Sequence, residues 1–140
     1  MTDLELAKNN LAGHTICLVK DGSCLYSTQH GIAPMMNCIQ TNTDLAGYSV
    51  ADLIVGKAAA LLFVKCGVKA VFAKTLSTAG KRVLQEHKIT FEYETLTEQI
   101  INRAGTDICP MEKALGGTNE PEEAYLILKD TLQKMAKKPQ

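Results

Sequence analysis

Three side chains in this sequence have types and surroundings suited to chemistry: Asp52, Lys57 and Cys109. Lys57 follows Gly56 in the run Asp52-Leu-Ile-Val-Gly-Lys-Ala-Ala-Ala60, whose other members after the aspartate are apolar or glycine. A lysine in such company must extend its amine to water, find a counter-ion or give up its proton. As a neutral amine it suits a nucleophile or base, and as a cation it suits an anion site. Gly56 belongs to the same argument. A glycine inside a helix costs roughly 1 kcal/mol against alanine, so it signals a strand or a ligand close to the backbone.

Cys109 opens Cys109-Pro-Met-Glu112 and admits two readings. As structure, it is an N-cap, with Pro110 as the first helical residue and Glu112 reaching back to the cap. As chemistry, a thiol at a helix N-terminus has its anion stabilised by free N–H groups and the helix dipole. Sulfur accepts hydrogen bonds weakly, which favours the chemical reading. Asp52 stands three residues after Ser49, the spacing of a capping pair. On a helix at 100° per residue, Asp52 and Lys57 would point well apart, so they do not form an i, i+4 ion pair.

Spacing argues against several other sites. The chain has no CxxC, HxxxH or HxE, the arrangements that gather zinc ligands, so no metal is expected. GxGxxG, GxxxxGK[ST] and GxSxG are missing too, which leaves no cofactor to expect. Fifteen basic and fifteen acidic side chains cancel, and there is no Trp. That balance offers no attraction to nucleic acid or an anionic membrane. Five cysteines at irregular spacing read as reduced thiols rather than a disulfide framework. The apolar stretch from Ala58 to Val64 is too short to span a bilayer. No basic region with a following apolar run opens the sequence, so no secretory signal is expected, and the reading is cytoplasmic.

With 46% apolar and 21% charged residues in 140, residues 1–140 are expected to form one domain. Asp3–Leu11 reads as an amphipathic helix ended by Gly13, with Leu4, Ala7 and Leu11 on one face. His14–Lys20 and Ser23–Ser27 read as a hairpin about Asp21-Gly22, a pair that takes positive φ cheaply. From Gly22 to Thr43 there is no Asp, Glu, Lys or Arg. This segment, with a short helix after Pro34, is either a half-buried connection or a pocket wall. Ser49–Lys65 is expected to be a helix buried on most sides, closed by Gly67. Val68–Lys74 reads as a central strand, Ser77–His87 as an amphipathic helix and Ile89–Glu94 as another strand. This alternation implies β-α-β units. Leu96–Arg103 is expected to be a short helix, Ala104–Ile108 a loop, and a further helix begins at Cys109. The last helix, Pro121–Lys137, has Glu120, Glu122 and Glu123 at its start and Lys134, Lys137 and Lys138 at its end, complementing its dipole. Ala124, Leu128, Leu132 and Met135 form its apolar face, that of a docked surface helix.

This order of helix, hairpin, helix with Gly-Lys-Ala-Ala-Ala, strand and helix resembles the cytidine deaminase-like fold. The runs 52–60 and 109–112 resemble an uncharacterised prokaryotic family of unknown function grouped with that fold. The resemblance implies a three-layer α/β/α sandwich with a mixed sheet of four or five strands. It places Gly56-Lys57-Ala58 and Thr75–Gly80 where deaminases carry their zinc ligands and catalytic glutamate, and neither stretch keeps them. Zinc-dependent deamination is therefore not expected. The resemblance also implies a pocket at helix N-termini, bordered by Gly56, Lys57, Ser77 and Thr78, with Cys109 nearby.

The leading expectation is binding of a small anionic, nucleotide-like ligand, with Asp52, Lys57 and Cys109 lining the site and Lys57 neutralising the charge. One alternative is an enzyme with Cys109 as nucleophile and Lys57 or Asp52 as its proton partner. Another is a non-catalytic interaction subunit. A homo-oligomer is open under any of these.

Overall fold

The computed structural model describes residues 1–102 and 104–137. Arg103 and Lys138, which entered the sequence reading, lie outside the described residues.

The hairpin forms where expected. β1 (Ile16–Lys20) and β2 (Ser23–Ser27) pair antiparallel in the register Ile16 to Ser27 and Lys20 to Ser23. Asp21 and Gly22 make the turn at φ 50° and 81°, the double left-handed conformation a two-residue hairpin turn needs. Ahead of it, α1 (Asp3–Asn9) begins with a capping box between Thr2 and Glu5. After it, α2 (Ala33–Gln40) carries Pro34 in its first turn.

The expected helix over Ser49–Lys65 is instead two elements. Ser49–Val55 is a strand, β3, and only Lys57–Cys66 is helical, as α3. Ser49 and Asp52 are therefore strand residues and make no capping box, and Gly56 stands at the N-cap rather than inside a helix. The sequence conceals the break because β3 is buried along most of its length. A buried strand lacks the polar alternation that would separate it from a buried helix.

With β3 in place the sheet has five strands in the order β2-β1-β3-β4-β5, where β4 is Ala70–Ser77 and β5 is Thr90–Thr97. β3 runs antiparallel to β1 and parallel to β4, and β4 is parallel to β5. Two β-α-β units result: β3-α3-β4, and β4-α4-β5 with α4 at Thr78–Glu86. The helix expected over Leu96–Arg103 is not found among the described residues of that range. Leu96 and Thr97 extend β5, and the chain beyond closes on itself through a bridge between Ile101 and Ile108. α5 (Pro110–Leu115) and α6 (Pro121–Lys137) follow. Among the described residues this is a mixed α/β fold of five strands and six helices.

Alternate residues of β1 enter two separate apolar clusters. Ile16 and Leu18 join the larger one with α2, α3, α4, α5 and α6, whereas Cys17 and Val19 meet Leu4, Ala7 and Leu11 beside α1. Strand pleating sends neighbouring side chains to opposite faces, so the sheet carries α1 on one face and the other helices on the second. Within the larger cluster Leu61, Leu62 and Phe63 of α3 are fully buried, as are Ala124 and Leu128 of α6. Among the described residues no helix is long and apolar enough to cross a membrane.

Candidate functional site

Gly56 has no side chain with which to cap α3, so the free amides of the first turn need an acceptor from elsewhere. Glu112 of α5 supplies it. One carboxylate oxygen accepts from the Lys57 N–H at 2.7 Å and the other from the Ala58 N–H at 2.8 Å. The anion lies at the positive end of the helix dipole, where charge-assisted bonds to backbone amides are strong. The expected return of Glu112 to Cys109 does not occur. The Cys109 N–H donates to the Ile100 carbonyl at 2.8 Å instead.

This contact explains why residue 56 is glycine. Its φ of −102° is open to any residue. A Cβ there, however, would lie 2.7 Å from Glu112 Cδ and 2.8 Å from Ile100 Cγ1, closer than atoms pack. Something does approach the backbone at Gly56, and it is a carboxylate of the chain itself.

Around this junction lies a cavity of about 530 Å³, within the range of small-molecule sites. β3 provides Asp52 and Ile54, α3 provides Ala58 and Ala59, and the segment after β5 provides Ile100, Ile101 and Asn102. Cys109, Met111 and Glu112 close it from the start of α5. His30, Gly31 and Ile32, from the stretch without charged residues, complete one wall, so at these three positions that stretch is a pocket wall. Most of the surface is apolar.

Asp52 is a buried charged residue on the cavity wall, 8% exposed. It sits opposite Ile16 of β1 and Ala73 of β4, on the sheet face that carries α3. Its Oδ1 accepts from the Ile54 N–H at 3.4 Å. Burial disfavours the charged form and pushes the carboxyl up from 3.8 to about 7, while the Ile54 and Leu53 amides pull it down. Near neutral pH this group stands between its acid and its anion, the condition of a useful proton donor or acceptor.

The structure gathers Asp52, Gly56 and Cys109 at this cavity and leaves the other expected residues outside its walls. Lys57 Nζ donates to the Gly116 carbonyl at 3.4 Å. Ser77 is buried as the N-cap of α4, its Oγ accepting from the Gly80 N–H at 2.9 Å. Thr78 Oγ1 donates to the Glu98 carbonyl at 3.3 Å. Glu112 was read only as a local cap for its own helix, and its role at α3 was missed because Gly56 was placed inside a helix rather than before one.

Zinc does not fit here. Gly56, Lys57 and Ala58 carry no zinc-ligating side chain of the usual kind, and among the described residues no three His, Cys, Asp or Glu side chains could hold one metal ion.

Comparison with known proteins locates the chain. No curated protein sequence matches it. A crystal structure of a DUF1893 family protein (TM1506) from Thermotoga maritima is similar, with a TM-score of 0.75 and 26% sequence identity, over 86% of this chain and 80% of that one. The family model TM1506, a domain of unknown function (DUF1893), matches residues 5–132. That span runs from α1 into α6 and takes in both Asp52 and Glu112, and on it the chain belongs to the DUF1893 family.

Proposed function

We propose that this protein binds a small, largely apolar molecule in the cavity at the end of β3, with Asp52 as the polar group that reads it. The observation that carries the reading is a buried carboxyl, weakly hydrogen-bonded, on the wall of a cavity of about 530 Å³. Burying such a group is costly, and a ligand that hydrogen-bonds to it recovers part of that cost. The frame is a deaminase-like three-layer sandwich. The order of its elements and the placement of helices on both sheet faces support that, and no zinc step belongs to it.

The ligand differs from the anion expected from sequence. Glu112 already occupies the α3 amides, and Lys57 directs its amine to Gly116. The cavity offers two carboxyl groups, which disfavours a phosphate or carboxylate as the buried part of a ligand. Cyclohexanemethanol is a suitable neutral probe. At saturation it should slow iodoacetamide alkylation of Cys109, which lines the cavity, and leave Cys24 on β2 unaffected. An unchanged Cys109 rate would sink the proposal.

A second reading is favoured by the shared cavity of Cys109 and Asp52: covalent catalysis in which the Cys109 sulfur adds to a substrate carbonyl carbon, the C=O π pair moving to oxygen, while Asp52 takes the thiol proton. It requires Cys109 to alkylate faster than Cys24 and to slow in Asp52→Asn.

A further inference from the structure

From the chemistry of this cavity we infer that its ligand carries an amine, held as an ammonium against the carboxylate of Asp52 with its apolar body against Ile32, Ile54, Ile101 and Met111. The inference rests on the cavity being a ligand site and adds the class of molecule it takes.

Two features argue for a cation. Asp52 is buried beside Ile16 and Ala73 in the sheet, and its Oδ1 accepts from the Ile54 N–H of its own strand at a long 3.4 Å. An ammonium brings hydrogen-bond donors and a compensating charge together, the combination a buried carboxylate lacks. The second carboxylate, Glu112, is committed through both oxygens to the α3 amides at 2.7 and 2.8 Å. It therefore adds negative potential to the wall without competing for the same donor. A neutral alcohol gains only one uncharged hydrogen bond at Asp52, and a carboxylate ligand meets like charge.

The groups that face Asp52 across the cavity bear on the pH response. His30 comes from the loop before α2, Cys109 from the start of α5 and Glu112 from α5 itself. Asp52 is charged in its anionic form, which gains population as pH rises through about 7. An alkylamine remains protonated across this range. Amine affinity should therefore rise between pH 6 and pH 8, and alcohol affinity should not.

Three probes with one apolar body test this: cyclohexanemethylamine, cyclohexanemethanol and cyclohexanecarboxylate, titrated against the intact chain and followed by amide NMR shifts of Gly56, Ala58 and Ala59. At pH 8 the amine should bind about tenfold or more tightly than the alcohol, the equivalent of a single net charge-assisted bond. That advantage should shrink toward pH 6 and disappear in Asp52→Asn. The wild-type pH series stands by itself should the variant not fold. Equal binding of amine and alcohol at pH 8 would overturn the amine inference and leave the cavity reading intact. Tightest binding of the carboxylate would overturn the inference in favour of an anion. Binding of none of the three would remove both the inference and the site it rests on.

Discussion

Residue 56 shows how one position can be decided by an atom 56 residues away in the chain. Its backbone dihedrals suit any amino acid, yet Glu112 and Ile100 leave no room for a methyl group. Gly56→Ala should cost about 1–3 kcal/mol through overpacking, read by urea denaturation. Glu112→Ala should cost a similar amount by stripping two N-terminal amides of a charge-assisted acceptor. The two changes should not add, because removing the carboxylate removes most of what the new Cβ would strike. A coupling of about 1 kcal/mol or more in the double-mutant cycle is the expected outcome, and strict additivity would show that the carboxylate does not occupy this position. The same pair of bonds explains Lys57. Its backbone N–H matters to the junction, and its amine lies 3.4 Å from the Gly116 carbonyl, away from the cavity walls.

At the scale of elements, three helix N-termini find side-chain acceptors, two from their own N-cap and one from another helix. α1 uses its own Thr2 in a capping box, α4 uses Ser77, and α3 borrows Glu112 from α5. Ser77 is 1% exposed, so its hydroxyl cannot be replaced by water. Ser77→Ala should destabilise the chain by about 1–2 kcal/mol, measured by thermal or urea unfolding, with Ser77→Thr recovering part of the loss. A neutral Ser77→Ala would mean that the Gly80 N–H has another acceptor. The tight fit here involves α3 as well, since a Cβ on Gly80 would come within 3.0 Å of the Gly56 carbonyl. Cap, strand end and cavity floor are thus one packed junction. The elements were partly legible beforehand: the hairpin, the start of α5 at Pro110 and the extent of α6 follow from signals within a few residues. β3 did not, because burial on both faces removes the alternation that marks a strand.

Across the whole molecule, Asp52 ties stability to pH. Its carboxyl rises from 3.8 to about 7 on folding, so between those values the folded chain holds a proton that the unfolded chain has released. Stability from this group is fully present below about pH 4, is lost as pH rises through about 7, and is level above that. At about 1.4 kcal/mol per pH unit the whole change is about 4 kcal/mol. Urea unfolding at pH 5 and pH 8 should show wild type weakening relative to Asp52→Asn, which carries no titrating group at this position. Parallel behaviour of the two proteins would mean that Asp52 is not buried as described.

The sequence by itself determined what depends on neighbours along the chain. Asp21-Gly22 sets the hairpin, Pro110 the start of α5, and the charge gradient and apolar face of Pro121–Lys137 define the last helix. It also determined that Gly56-Lys57-Ala58 and Thr75–Gly80 contain no His, Cys or Glu, since that is a matter of residue type alone. Tertiary structure decided the rest. Whether Ser49–Val55 was strand or helix depended on β1 and β4 lying on either side to take its hydrogen bonds. Whether Lys57, Cys109 or Asp52 faced a cavity depended on α5 packing against the start of α3, a contact between residues far apart in sequence. Local signals fix backbone conformation because their energies arise within one turn. A site is assembled from side chains on several elements, and only the packing of those elements determines which of them meet.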